Sequence, residues 1–150
     1  MALTRYFCVA TVGCSADARK GVFMSPLNNP RILKWIMNVW PPFLGAGIRV
    51  RHIAADWRSA EVTLTLRWYN RNYVNTHFGG SLFSMVDPFC MLLLINLLGR
   101  GYRVWDKAAA VEFLLPGKGT VTARFFIDDA LLARIRAKTA KGQKHYEAVP

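Results

Sequence analysis

The chain has 150 residues, of which 53% are hydrophobic and 19% charged, and its 20 Lys and Arg against 9 Asp and Glu give a formal net charge of +11. This composition excludes a disordered chain and describes one domain able to bury roughly two thirds of its unfolded surface. The positive field favours an anionic partner, such as a nucleotide-like ligand, an acidic protein or nucleic acid, without choosing among them.

Residues 1–25 carry Arg5 and an apolar patch that Thr11 and Gly13 interrupt. The patch is barely long enough for a secretory leader. The segment therefore reads as a loose N-terminal extension and the location as cytoplasmic. The cysteines, Cys8, Cys14 and Cys90, are odd in number and irregular in spacing. With no CxxC pair and no Cys/His ligand spacing, neither a disulfide frame nor a metal site is expected. Cys90, inside the longest apolar run, reads as a buried free thiol.

A first helix is expected from Asn29-Pro30 to Trp40, with Asn29 as N-cap and Pro30 at the first helical position. Ile32, Trp35, Ile36, Val39 and Trp40 share one face at helical spacing, and Pro41-Pro42 should end the helix. The period then changes to two. Gly47–Trp57 alternates, and after a turn Ala60–Tyr69 alternates again, with Val62, Leu64, Leu66 and Trp68 on one face. That is a hairpin. A polar connection leads to a helix from Gly79 to about Leu98 that is apolar nearly all round, the mark of a helix enclosed by other elements. It is not read as a membrane span, because Asp87, Pro88 and Asn96 interrupt it and a mid-bilayer charge costs at least ~2.5–3.5 kcal/mol. Two more strands follow, Tyr102–Pro116 and the run after Gly117-Lys118-Gly119. A short helix capped by Asp128 or Asp129 and the start of a last strand at Lys144 complete the chain. One all-round apolar helix among antiparallel strands implies a sheet curled about that helix, an α+β class.

The central segment carries the chemistry. At Gly79-Gly80 the first helical N–H groups lack intrahelical partners, and glycine admits a close approach to the backbone. Such a helix start can hold a carbonyl oxygen whose charge grows during reaction. Asp87 is a carboxylate in an apolar run, which costs several kcal/mol unless it is paired or wet. It is either paired with a cation such as Lys107, or capping the kink at Pro88, or a pocket-wall general base or nucleophile. Pro88 removes one helix hydrogen bond and frees the Ser84 carbonyl. Asn70, Asn72, Asn75, Thr76 and His77 lie just upstream, placed to orient water or substrate. Gly80 and Asp87 are seven residues apart, about 10 Å along the axis. That is too far to serve one carbonyl and one water, so two antiparallel copies with composite sites are expected, as a homodimer or a dimer of dimers.

The run N-T-H-F-G-G-S-L-F-S-M-V-D-P-F from Asn75, with Val104-Trp105-Asp106-Lys107-Ala108, resembles a hotdog-fold family labelled a domain of unknown function and related to phenylacetyl-CoA thioesterases. The resemblance covers about Pro26 to Pro150. It implies a long helix wrapped by an antiparallel sheet, with Asp87 driving thioester hydrolysis and the amides of Gly80 and Gly79 polarising the carbonyl. Phe78 stands where the thioesterase branch usually has histidine. Relatives continue through further strands, so the domain, 26–150, is expected to be C-terminally truncated, with four strands and a stub.

Arg134, Arg136, Lys138, Lys141 and Lys144 form a basic run with no acidic residue between Ala130 and Tyr146. It is either a solvated helix face or a dock for coenzyme A phosphates or an acidic carrier protein. No nucleic-acid reading motif accompanies it. The leading expectation is an acyl-CoA thioesterase with Asp87, Gly79, Gly80 and Asn75 at the reaction and Asn70, Thr76, His77, Lys107, Arg134 and Arg136 on the substrate, needing no cofactor beyond the substrate's own coenzyme A. The alternative is a non-catalytic acyl- or lipid-binding module. A hydratase or dehydratase comes third and would need His77 or His52 beside the carboxylate.

Overall fold

The computed structural model describes residues 4–14, 28–140 and 144–149. Helix α1, Pro30–Val39, begins as expected, with the Asn29 side chain accepting from the Arg31 N–H at 3.0 Å. Pro41-Pro42 does not simply stop it but opens a second helix, α2 (Pro41–Ala46), because proline needs no N–H in a first turn. Gly47, at φ 79°, ends α2 in the left-handed conformation. Helical spacing groups the apolar residues of α1 without saying which of them meet the core. Leu33 and Met37 are buried, whereas Ile32, Trp35 and Val39 look outward, with Trp35 67% exposed. The cause is a tether. Asn38 accepts from the Val50 N–H at 2.8 Å and donates to the Val50 carbonyl at 3.0 Å, so that edge of α1 is fixed to the strand below.

That strand is β2 (Ile48–Ile53), paired antiparallel with β3 (Ser59–Thr65). β3 is shorter than expected and leaves Trp68 exposed, because the Asn70 side chain captures the Thr65 carbonyl and the Arg67 N–H and turns the chain away. The central helix is α3 (Gly79–Ser84) and α4 (Phe89–Leu98), separated by a turn over 85–88. Met85 and Pro88 remain right-handed helical, so the break is a local tightening at the proline and not a change of direction. Leu93 and Leu94 are 1% and 0% exposed, and burying each such side chain stabilises by roughly 1.5–3 kcal/mol.

After α4 come β4 (Tyr102–Phe113), β5 (Thr120–Phe126), α5 (Asp129–Thr139, capped by Asp128) and β6 (Lys144–Val149). The expectation for the N-terminus is corrected here. Thr4–Cys14 is a strand, β1, in the middle of a sheet ordered β4-β1-β6, while β2-β3-β5 form a second sheet. A short alternation of Cys8, Ala10 and Val12, all fully buried, faces inward. It passes for a loose extension in sequence only because its partners lie about ninety residues away (Cys14 pairs with Tyr102). The described residues thus hold six strands, where four and a stub were expected. The rest of the expected extension lies outside the described residues. α4 bridges the sheets, since Phe89 stacks on Phe125 at 5.1 Å while Cys90 meets Cys8.

Candidate functional site

The connection before α3 is built by side chains that fold back on the backbone. Asn72 accepts from the N–H groups of Val74 (3.1 Å) and Thr76 (2.9 Å) and donates to the Thr76 hydroxyl and the His77 carbonyl. Asn75 sits at φ 60°, a left-handed position that asparagine tolerates, with its side chain exposed. Asn70 is buried and donates to the carbonyls of Ala46 and Thr65, so both its N–H donors are used within the fold. His77 is 3% exposed and clasps the turn before β5. Its backbone N–H donates to the Gly117 carbonyl, and Nε2 lies 3.1 Å from the Gly119 carbonyl. A carbonyl only accepts, so Nε2 carries the proton and Nδ1 is the bare nitrogen, buried without a partner. Protonation would strand a buried N–H there. Burial holds this imidazole below the ordinary histidine range, against the favourable Gly119 contact. Neither ring nitrogen meets a carboxylate.

This connection and the end of β4 enclose a cavity of about 580 Å³. Thr76, His77, Gly79 and Leu82 form one wall, and Phe113, Leu114 and Leu115 form the other. The cavity opens at the start of α3, which has no side-chain cap. Among the described residues no acceptor meets the N–H of Gly79 or Gly80. Both glycines sit close against aromatic rings. A Cβ on Gly79 would lie 3.2 Å from the Phe113 ring, and one on Gly80 only 2.4 Å from the Phe78 ring, which folds over it.

Asp87 lies half-buried at the break of the central helix and is not part of the cavity wall. A second carboxylate stands near it. Asp106, on β4, accepts from the Cys8 thiol at 3.1 Å. Burial chiefly, and the negative charge of Asp87 in addition, raise the Asp106 carboxyl above the ordinary aspartate range, while the Cys8 contact opposes this. The thiol of Cys8 is itself pushed far up, first by its contact with Cys90, then by burial and by Asp106, so it remains a protonated donor. Cys90 follows Asp87 by three residues and so shares its helix face. The Cys8 thiol thus lies between the Asp106 carboxylate and the Cys90 thiol, with Asp87 near enough for its charge to act on Asp106. Sequence reasoning missed Asp106, although the signal was present: it lies two residues after buried Val104, at an inward position of a strand. A β-bulge marks the same place, since Val9 pairs with Ala108 and Ala10 with Asp106, leaving Lys107 as the extra residue.

Lys107 is turned away from both carboxylates, with Nζ 3.8 Å from the Tyr146 ring centroid. Arg134 pairs with Glu147 at 3.2 Å, so the first cation of the basic run is taken up by an acid beyond its end. Burial would raise Glu147, but His145 and Arg134 hold it below the ordinary range. Arg136 reaches the Leu97 carbonyl at 3.5 Å, at the far end of α4. Thr76, His77 and Gly79 are therefore gathered at the cavity. Asn70 is committed to the fold, Asn75 faces solvent, and Asp87, Lys107, Arg134 and Arg136 lie elsewhere in this chain. Among the described residues no group of three or more potential metal ligands occurs.

Residues 29–148 match the family model described as Domain of unknown function (DUF4442). The chain belongs to that family. No curated protein matches it. A protein of unknown function from Pseudomonas aeruginosa, named a probable thioesterase, has a similar crystal structure. Its TM-score is 0.58 at 13% identity, over 81% of this chain and 93% of that one. At that identity the likeness establishes the fold alone, and this DUF4442 chain has the hotdog fold, a central helix wrapped by antiparallel strands. The matched residues do not include β1, the strand that brings Cys8 to Asp106.

Proposed function

We propose that this chain is an acyl-CoA thioesterase acting as a homodimer or dimer of dimers in the cytoplasm. The observation that carries the reading is a half-buried carboxylate set at the break of the helix whose uncapped glycine amides open on the cavity. In this reading the thioester carbonyl oxygen accepts from the N–H groups of Gly79 and Gly80 of one copy, where the helix dipole favours negative charge. Asp87 of the second copy takes a proton from water, and the water oxygen bonds to the carbonyl carbon. The C–S bond then breaks, and the proton passes from Asp87 to the departing coenzyme A thiolate. The separation of about 10 Å between Gly80 and Asp87 on one helix makes the second copy necessary. The exposed apolar rim at Phe78, Phe113, Leu114 and Leu115 gives it a surface to cover. Arg136 and Lys138, exposed on α5, are offered to coenzyme A phosphates or to an acidic carrier protein.

Asp87→Asn tests the reading. Free-thiol release from a panel of acyl-CoAs should fall by about 10²–10⁴-fold, the contribution of a positioned base. Equal release by variant and parent would refute it. The cavity's apolar wall, which Asp87 does not reach, favours a second reading, a non-catalytic acyl-binding module. Saturable acyl-CoA binding by the parent with no thiol release would establish that one instead.

A further inference from the structure

Among the described residues the outward face of α1 has no partner. Ile32, Trp35 and Val39 lie on one stripe, 40%, 67% and 47% exposed. Trp40 (47%) and Leu44 of α2 (49%) extend it. α1 is strongly amphipathic, yet of its apolar residues only Leu33 and Met37 are buried in the core. The sequence on either side of it is basic. No acidic residue occurs between Asp17 and Asp56, a span that holds Arg31, Lys34, Arg49 and Arg51. Arg31, Arg49 and Arg51 are exposed and Lys34 is half-exposed.

Two physical arguments narrow what covers this face. A two-fold contact sets a patch against itself. A second copy docked here would therefore bring cations against cations with no acid between them, so the partner is anionic. The stripe is also exposed along its length from α1 into α2 and carries Trp35 and Trp40, whose rings can bury apolar area while the indole N–H stays wet. Both features suit the boundary between lipid headgroups and acyl chains better than a groove on another protein.

We propose that α1 is an interfacial helix that seats the protein on an anionic lipid surface, with Ile32, Trp35 and Val39 in the headgroup–acyl boundary and Arg31 and Lys34 on the lipid phosphates. The inference stands independently of thioester hydrolysis. It concerns lying on a bilayer and not crossing it.

Flotation of the full chain with vesicles of phosphatidylcholine alone and of phosphatidylcholine with phosphatidylserine tests it. Partitioning should favour the anionic vesicles at least about ten-fold and weaken with added salt. Trp35→Glu should lower it by about ten-fold or more, and Arg31→Gln or Lys34→Gln by about five-fold each. Thermal melting of Trp35→Glu should match the parent, because the ring makes little of the core. Absence of binding, equal binding to both vesicles, or binding that Trp35→Glu leaves unchanged overturns the proposal. So does a dimer of the parent that Trp35→Glu dissociates with no vesicle binding, since a second copy would then cover the stripe.

Discussion

Replacing Asn70 by alanine separates a structural role from a substrate-binding one. Its amide donates to the Ala46 and Thr65 carbonyls at 3.0 and 2.9 Å, and its oxygen accepts from the Arg67 N–H at 2.6 Å. Truncation leaves two carbonyls and one N–H without partners. A dry orphan of this kind costs about 1–3 kcal/mol. Ala46 and Thr65 are only half-buried and Arg67 is exposed, so water can reach them and the lower end applies. The sum is about 3 kcal/mol, which for a chain of this size lowers Tm by roughly 6–12 °C. Calorimetry and urea unfolding of Asn70→Ala should show this loss, with KM for acyl-CoA unchanged where the variant is folded. An unchanged Tm together with a raised KM would refute the reasoning and return Asn70 to the substrate.

Gly80→Ala should leave Tm level or slightly raised, because alanine gains about 1 kcal/mol over glycine in a helix and the Phe78 ring can swing aside. Thioester hydrolysis should fall at least about ten-fold as the methyl group blocks the amide, and an unaltered kcat/KM removes Gly80 from the site. For His77 the folded imidazole titrates below the unfolded one. Below the unfolded value of about 6.5 the unfolded chain therefore binds more protons. Tm should drop between about pH 7.5 and pH 5.5, and His77→Gln should flatten that drop; a parallel decline in both proteins contradicts the assignment. Asp106 has the opposite sign. Its raised carboxyl makes the folded state less stable as pH rises through its own titration. Asp106→Asn should thus hold or raise Tm at neutral pH, and a marked fall would mean that the ionised carboxylate is satisfied in a way its burial does not suggest.

Local rules were legible wherever a residue acts within its own turn. The Asn29 cap, the Asp128 cap, the break at Pro88 and the all-round apolar character of α4 could all be read from short windows. What failed depended on distant partners. The apolar stripe of α1 was visible, but periodicity reports that a face exists and not what lies against it. The Asn38 tether to β2 chose the other side. Trp68 alternates correctly, but Asn70 ends β3 before it. Asp87 and the glycine pair stood out because a charge and a helix start are conspicuous in an apolar run. Asp106 did not, since its significance comes from Cys8, a residue on a strand that no local pattern assigned to the domain.

The central position of β1 sets the order in which this chain can become a protein. Made before either partner, Thr4–Cys14 must wait for Tyr102–Phe113 before its first partner exists and for Lys144–Val149 before its second. Until then its inward residues, Cys8, Ala10 and Val12, have no apolar seat and both its edges are open. Contacts so far apart in sequence are slow to form. The sheet behind the carboxylates therefore closes only once Lys144–Val149 has been made, and until then a nascent chain of this protein is exposed to off-pathway strand pairing.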